Sequence, residues 1–590
     1  MSKFSRRSFL RHAGIFTGIF LGLSESDEAQ GQSNAKTLED RLIPNTSGAW
    51  AVKREWTRRE IELYSRWFAN IFEKKVGGKT PQKAAKIPYI LKDPEMNLLL
   101  QDGFSSGNND IRLFDDNTLS IMNSANACGT FPILMHMYYC AVRGLPATFT
   151  KVEGNGGDIR YSRGNHPTKV IDPVSYNGDL KSLIRTVFFG ESNYTTGNWR
   201  TAPDLEGTDT VPITISPETT IPGLTLLYNT DGHGLAVGRI TPSGDVRILD
   251  GHPDGSITSG QTLAALESVT SSVPEDKREF WYGGWRMRRL AKTVMNTKGE
   301  VIGVKPLTNT EMEAHGFSDE QYLDIINIRK KKPVKIDGKD ALVASFPEYA
   351  QKRLSTGGVA DPYAMIHDWA RQLQTLFTER ALFVQQGWDD VNTNGPITIP
   401  DNKNVYRAEG RWEKWSSPSS DCDRKGGYFL TADRLDELVQ NYDPKNGSVA
   451  VAGFGRPART KKELAQAIIE EKKKAFEEAK IAYKTSSGRN VTLTLNDIEK
   501  RLFLMSFDPN HAPEIRWGAA IGSSEASGYN GKTTPRASGG RLSVQESYLL
   551  EQGLRYRLTR KPGYTPLDGN DNPKGPLKEL LEDRLGKHLK

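Results

Sequence analysis

Cysteine is scarce in this chain: three in 590 residues, which excludes a fold stapled by disulfides. Long apolar runs are missing too. No stretch approaches the roughly 20 residues an ordinary transmembrane helix needs, so no integral membrane segment is expected in the mature chain. Charge of one sign is not in excess. The 79 basic and 72 acidic side chains leave a net charge of +7, too small a surplus at this size to argue for a nucleic-acid partner. Repeats of fixed period are absent, which sets aside solenoids and propellers. No glycine-rich phosphate loop ends in Lys-Ser/Thr and no dinucleotide fingerprint follows a strand, so no nucleotide cofactor is expected. No His or Cys pair has metal-ligand spacing. Asp508, His511 and Glu514 are interleaved with Pro509 and Pro513 and read as a rigid turn rather than a metal site. What remains is a polar composition, 37% hydrophobic and 26% charged, that still supports a core in a chain this long. At about 150 residues per domain the length implies three or four domains.

The N-terminus reads as an address. Ser5-Arg6-Arg7-Ser8-Phe9-Leu10-Arg11 precedes an uncharged run from Ala13 to Leu23, too short to cross a bilayer, and Ala29-Gln30-Gly31 offers small residues for cleavage. The segment resembles a twin-arginine export signal. That resemblance implies export in a folded state, with a mature protein in the periplasm or outside the cell. Residues 1–31 are therefore set apart from the fold.

Beyond the leader, Ile61, Tyr64, Trp67, Phe68, Ile71 and Phe72 recur at helical spacing between Glu55 and Lys75. A Gly/Asn/Asp-rich loop is expected over 102–117. A largely apolar helix then runs from Cys128 to Arg143, stopped by Gly144-Leu145-Pro146, and a strand follows from Ala147 to Val152. Residues 153–220 read as a loop-bearing insertion. Short β-like runs at 224–228, 234–240, 246–249 and 280–290, separated by turn residues, imply an antiparallel sheet. Further on, 361–386 and 461–483 read as helices, the second as a solvated amphipathic helix with Glu and Lys a turn apart. Residues 562–576 read as a loose loop. The resulting class is α+β. Residues 32–294 form a first domain, 295–400 a mixed region and 401–590 an α-rich C-terminal region.

One constellation carries chemistry. In Asn123-Ser124-Ala125-Asn126-Ala127-Cys128-Gly129-Thr130, Ser124 or Asn126 can cap the following helix and place Cys128 at its first turn. A helix N-terminus favours thiolate over thiol, and its unpaired N–H groups can receive an oxyanion. A second segment, Asp231-Gly232-His233 through Asp250, reads as a β-hairpin with His233 and Asp250 at the same end. A histidine there can act as base, and a carboxylate beside it can fix its tautomer. With the turn centred on Ser243-Gly244, His233 falls opposite Asp254 and Asp250 opposite Val237. Asp250 therefore needs a bulge or a diagonal contact, and Asp254 or His252 can compete for its role.

Cys128 at a helix start, Arg143-Gly144-Leu145-Pro146-Ala147 at a helix-to-strand turn, then His233 and Asp250 on a hairpin together resemble the transglutaminase-like superfamily. The resemblance covers about residues 50–290. Two features depart from that pattern. The 105-residue step from Cys128 to His233 requires the insertion, and Gly234-Leu235 follows the histidine where a small residue and Trp are usual. The resemblance implies a papain-like layout, a cysteine helix packed on an antiparallel sheet, with Cys128 as nucleophile, His233 as base and Asp250 as orienting acid. It implies a thioester mechanism on peptide or protein amides, cell-envelope material among them, with water or an amine as acceptor. The alternative from a different class is a non-catalytic envelope or binding protein that keeps this scaffold.

The other candidates read as structural. Cys140 lies about 18 Å along the helix from Cys128, too far for a disulfide, and belongs to the core. Cys422, in the turn-like Ser419-Ser420-Asp421-Cys422-Asp423, is disfavoured as a thiolate by its acidic neighbours. The basic clusters 286–289 and 329–332 read as solvated faces, with contact to an anionic polymer as their functional reading.

Overall fold

The computed structural model describes residues 48–77, 86–101, 104, 113–155, 159, 164–190, 201–227, 234–261, 283–398, 410–445, 447, 449–502, 504–527 and 580–590. The leader and the tail at 562–576 lie outside them. The architecture is α+β. In order, the first elements are α1 (Arg58–Gly77), α2 (Ile87–Lys92), α3 (Asp116–Ser124), α4 (Phe131–Arg143), β1 (Phe149–Glu153), β2 (His166–Ile171) and α5 (Leu180–Phe189). Strands β3 (Thr210–Pro212), β4 (Thr225–Leu227), β5 (Gly234–Ile240), β6 (Val246–Gly251), β7 (Ile257–Gln261) and β8 (Gly284–Arg288) follow. They make one six-stranded antiparallel sheet in the order β3-β8-β4-β5-β6-β7. A hairpin of β9 (Ala291–Met295) and β10 (Val301–Pro306) comes next, then α6 (Glu320–Arg329), α7 (Phe346–Leu354), α8 (Pro362–Asn394), α9 (Pro418–Gln440), α10 (Lys461–Glu478), β11 (Lys480–Lys484) and β12 (Asn490–Thr494).

Strand alternation divides the sheet into two buried faces. Ala236, Leu249 and Ile257 turn to a core built from Trp67, Phe68 and Ile71 of α1 and the whole of α4. Leu235, Val237, Val246 and Ile248 turn the other way, onto Ile325 of α6 and Tyr349 and Leu354 of α7. Each fully buried aromatic or aliphatic side chain here contributes about 1.5–3 kcal/mol. A bidentate ion pair in the interior joins α4 to α1: Arg143 Nε and Nη2 donate to Glu60 Oε1 and Oε2 at 2.7 and 2.9 Å. Gly144, at φ 67°, closes α4, and Leu145 N reaches back to Cys140 O at 2.8 Å.

A third core lies among α8, α9 and α10, with Trp369, Phe429 and Ile468 fully buried. Its helices α8 and α9 also pack against β7. Residues 42–590 form one compact unit. Residue 295 falls at the end of β9 inside a hairpin, and residue 400 lies outside the described residues. Among the described residues no helix is long and apolar enough to cross a membrane.

Several local expectations are corrected. The described part of residues 153–220 holds regular elements beside its loops: β2 pairs with β1, α5 buries Leu183, Ile184 and Val187 in the first core, and β3 belongs to the main sheet. Most of the loop expected over 102–117 lies outside the described residues; at its end Asp115 caps α3 by accepting from Thr118 N at 2.7 Å. The helix expected to reach Tyr483 ends at Glu478, because Ile481 and Tyr483 then alternate into the core as strand residues. Nor is α10 solvated all along its charged face: Lys472 is buried, and its ammonium meets Glu499 and Glu582 at 2.5 and 2.9 Å. Arg286, Arg288 and Arg289 are buried as well, because β8 is an interior strand. Their guanidiniums satisfy carbonyls of the preceding segment, as when Arg289 Nε donates to Thr208 O at 2.6 Å. Cys422 lies within helix α9 rather than in a turn.

Candidate active site

The segment that carries Cys128 links α3 to α4. Ala127 O accepts from Thr130 N at 3.1 Å and Phe131 N at 2.9 Å, so the first helical turn closes around Cys128, whose side chain is partly exposed. Among the described residues the N–H groups of Cys128 and Gly129 have no hydrogen-bond partner, as befits the opening turn of a helix. The capping expectation is corrected. Ser124 belongs to α3 and donates to Ser120 O at 3.1 Å, and Thr130, at the N-cap position, makes no side-chain cap bond.

Asn126 ties this turn to the sheet instead. Its Nδ2 donates to His252 O at 3.3 Å and Ser256 O at 3.0 Å, on the β6–β7 connection. Gly251, the last residue of β6, packs directly on the turn. A Cβ there would lie 2.4 Å from Asn126 Oδ1, 2.7 Å from Phe131 Cβ and 3.1 Å from Ala127 O. The neighbours of Cys128 and of Asp250 are thus in contact.

The hairpin register resolves the anticipated irregularity. Ile240 pairs with Val246 and Arg239 with Arg247, and the pairing then slips, so that Val237 meets Ile248 and Ala236 meets Leu249. Asp250 is therefore not opposite Val237. The extra residue is Gly238, where any Cβ would strike the Phe72 ring at 2.4 Å. Asp250 is buried and pairs with Thr258 across β6–β7. By alternation its side chain shares the face of Ile248, while Leu249 and Gly251 face α4. His233 immediately precedes β5 and lies outside the described residues.

The two competing side chains sit in the tight connection after β6, closed by Gly255 N donating to His252 O at 2.8 Å. His252 is buried, with Nε2 2.7 Å from Thr258 Oγ1. Asp254 Oδ1 accepts from Ser256 N at 2.8 Å and Ser256 Oγ at 2.6 Å, and its Oδ2 accepts from Ser420 Oγ at 3.2 Å. Neither Asn126 as a tether nor Ser420 as a partner from α9 was singled out in the sequence. A side chain such as Asn126 suits a cap equally well, and nothing local marks Ser420.

Comparison of this chain with protein-family models, with curated proteins and with solved structures finds no match.

The second cysteine of α4 has a different setting. Cys140 Sγ lies 3.4 Å from His136 Nε2, and both side chains are buried. Burial pushes the Cys140 thiol far up and holds His136 well below its ordinary range, so neither is charged near neutrality. The Trp56 ring stacks on His136 at 5.6 Å. An open cavity of about 520 Å³ lies between the C-terminal ends of α3 and α5 and is lined by Ile121, Ser124, Arg185 and Phe189.

Proposed function

We propose that this chain is an exported cysteine-dependent acyl-transfer enzyme of transglutaminase-like type, acting on peptide or protein amides, including those of the cell envelope. The observation that carries the reading is the docking of the Cys128 turn. A partly exposed thiol at the opening of a buried helix is held by Asn126 against the end of the β6–β7 hairpin that bears Asp250. In the mechanism, the Cys128 thiolate attacks the amide carbon and the oxyanion is received by the N–H groups of Cys128 and Gly129. The C–N bond then breaks, His233 delivers a proton to the leaving amine, and a thioester remains. Water adds next, giving up a proton to His233, and the free carboxylate and thiol are regenerated; an amine in place of water gives a cross-link. Asp250 is assigned the orientation of His233.

Alkylation with iodoacetamide near pH 6 tests the reading. An activated Cys128 reacts far faster than Cys140 or Cys422, and His233→Ala slows it to their level. Equal, slow labelling of all three overturns it. That outcome would favour the non-catalytic binding scaffold. One observation speaks for this second reading: strand alternation aims Asp250 to the sheet face away from α4.

A further inference from the structure

Helix α9 begins in an unusual concentration of buried positive charge. Arg380 of α8, Arg424 of α9 and Arg516 of the short helix Pro513–Arg516 are each at most 1% exposed. All three gather around the first turn of α9. Arg380 Nε and Nη2 donate to Asp421 Oδ1 and Oδ2 at 2.8 and 2.9 Å, Arg424 Nη1 to Asp421 Oδ1 at 2.9 Å, and Arg516 Nη2 to the N-cap Ser417 Oγ at 2.9 Å. Asp421 is the carboxylate they share. Asp508 adds a second one toward Arg516, its Oδ1 accepting from Asn510 N at 2.9 Å and its Oδ2 without a hydrogen-bond partner among the described residues, and Lys425 adds a further cation toward Asp421.

The donor count does not close. Among the described residues, Arg380 Nη1, Arg424 Nη2, and both Nε and Nη1 of Arg516 have no hydrogen-bond partner. Leaving a buried donor unmet is costly, more so when it is charged, and native interiors rarely do it. Burial, then the neighbouring Arg380, push the Arg516 guanidinium down to about 9, with Asp421 and Asp508 opposing the shift. Water could accept these hydrogen bonds, whereas an anion would accept them and offset guanidinium charge as well. A helix N-terminus adds its own partial positive charge, and α9 is 23 residues long.

We propose that the N-terminal end of α9 holds a small tetrahedral oxyanion, phosphate or sulfate, on the unpartnered N–H groups of Arg380, Arg424 and Arg516. Such an ion offers several acceptor oxygens to guanidinium forks and neutralises the cluster. It also has a structural reach. Ser420, adjacent to Asp421, donates to Asp254 on the β6–β7 connection, so the ion fixes the turn of α9 that clasps the candidate active-site hairpin.

The full-length protein, desalted exhaustively, would be acid-denatured and the released anions identified by ion chromatography. The expected result is about one equivalent of phosphate or sulfate per chain, the anion detected distinguishing the two, and little from Arg516→Gln. In parallel, the thermal midpoint should rise with sulfate or phosphate concentration beyond its rise in chloride at matched ionic strength. No released oxyanion together with identical midpoints in all salts overturns the proposal in favour of water alone. Equal retention by Arg516→Gln and Arg424→Gln also overturns it, because the ion then sits elsewhere. The wild-type release decides the matter even if a variant fails to fold.

Discussion

Gly251 and Asn126 are packed so closely that one added carbon on the glycine would fall 2.4 Å from the amide oxygen. The contact is a lock between the turn holding Cys128 and the end of β6, and it admits no side chain. Gly251→Ala should therefore destabilise the protein by about 1–3 kcal/mol through overpacking. Asn126→Ala should cost a similar amount, about 1–3 kcal/mol, by removing the side-chain bonds to the His252 and Ser256 carbonyls, each of which keeps only its backbone donor. Urea unfolding measures both. Alkylation rates of Cys128 should change in the two variants while Cys140 stays unreactive. Unchanged stability in both would mean that the turn is not fixed to the hairpin.

The buried imidazole of His136 makes stability depend on pH. Burial, then the Arg288 charge, hold its folded pKa well below the ordinary 6.5, so the folded state keeps it neutral where the unfolded chain takes up a proton. The stabilisation is complete above about pH 6.5 and is lost as the pH falls below it, with a slope of up to about 1.4 kcal/mol per pH unit from this one group. His136→Phe keeps a ring for Trp56 to stack on and should flatten the profile in the range just below about pH 6.5. Urea midpoints across that range give the slope. An unaltered slope in the variant would assign the pH dependence to other groups.

Periodicity made the principal elements legible. The spacing of Tyr64, Trp67, Phe68 and Ile71 marked α1, and the apolar run closed by Gly144-Leu145-Pro146 marked α4, because both depend on local patterning and on a left-handed glycine. The β5–β6 hairpin was equally legible, but its register was not. The slip at Gly238 answers to the Phe72 ring on a distant helix, which no local pattern reveals. Long-range partners defeated the reading of charge in the same way. Arg286–Arg289 and Lys472 look like surface residues until the carbonyls and carboxylates that receive them arrive from elsewhere in the chain. At the candidate site, residue types and their order were readable. The role of Asn126 was not, since a side chain suited to capping is equally suited to reaching across to another strand.

The C-terminal half should not be separable from the sheet. Helices α8 and α9 pack on β7, Ser420 donates to Asp254, and Arg434 Nε lies 3.0 Å from Asp245 Oδ1 at the β5–β6 turn. A chain ending at residue 294 would expose that edge of the sheet together with the buried Lys75. It is expected to be insoluble or to bind a hydrophobic dye strongly, whereas the full chain does neither. Sedimentation of the expressed fragment checks this. A soluble, cooperatively unfolding fragment would show that residues 48–294 form a core of their own.

Lys75, near the end of α1, and Glu379, in the middle of α8, form an ion pair in which both side chains are fully buried. Burial alone pushes the lysine down and the glutamate up, and the attraction between them opposes both shifts. Removing one partner leaves an uncompensated charge in the interior. Lys75→Met and Glu379→Leu should each cost about 3–5 kcal/mol. The double variant removes both desolvation penalties and refills the space with apolar atoms, so it should recover most of that loss and come within about 2 kcal/mol of the parent. A double-mutant cycle by denaturant unfolding gives the coupling directly. Single-variant costs that simply add would mean that the two charges do not meet, and that α1 and α8 are joined by apolar packing alone.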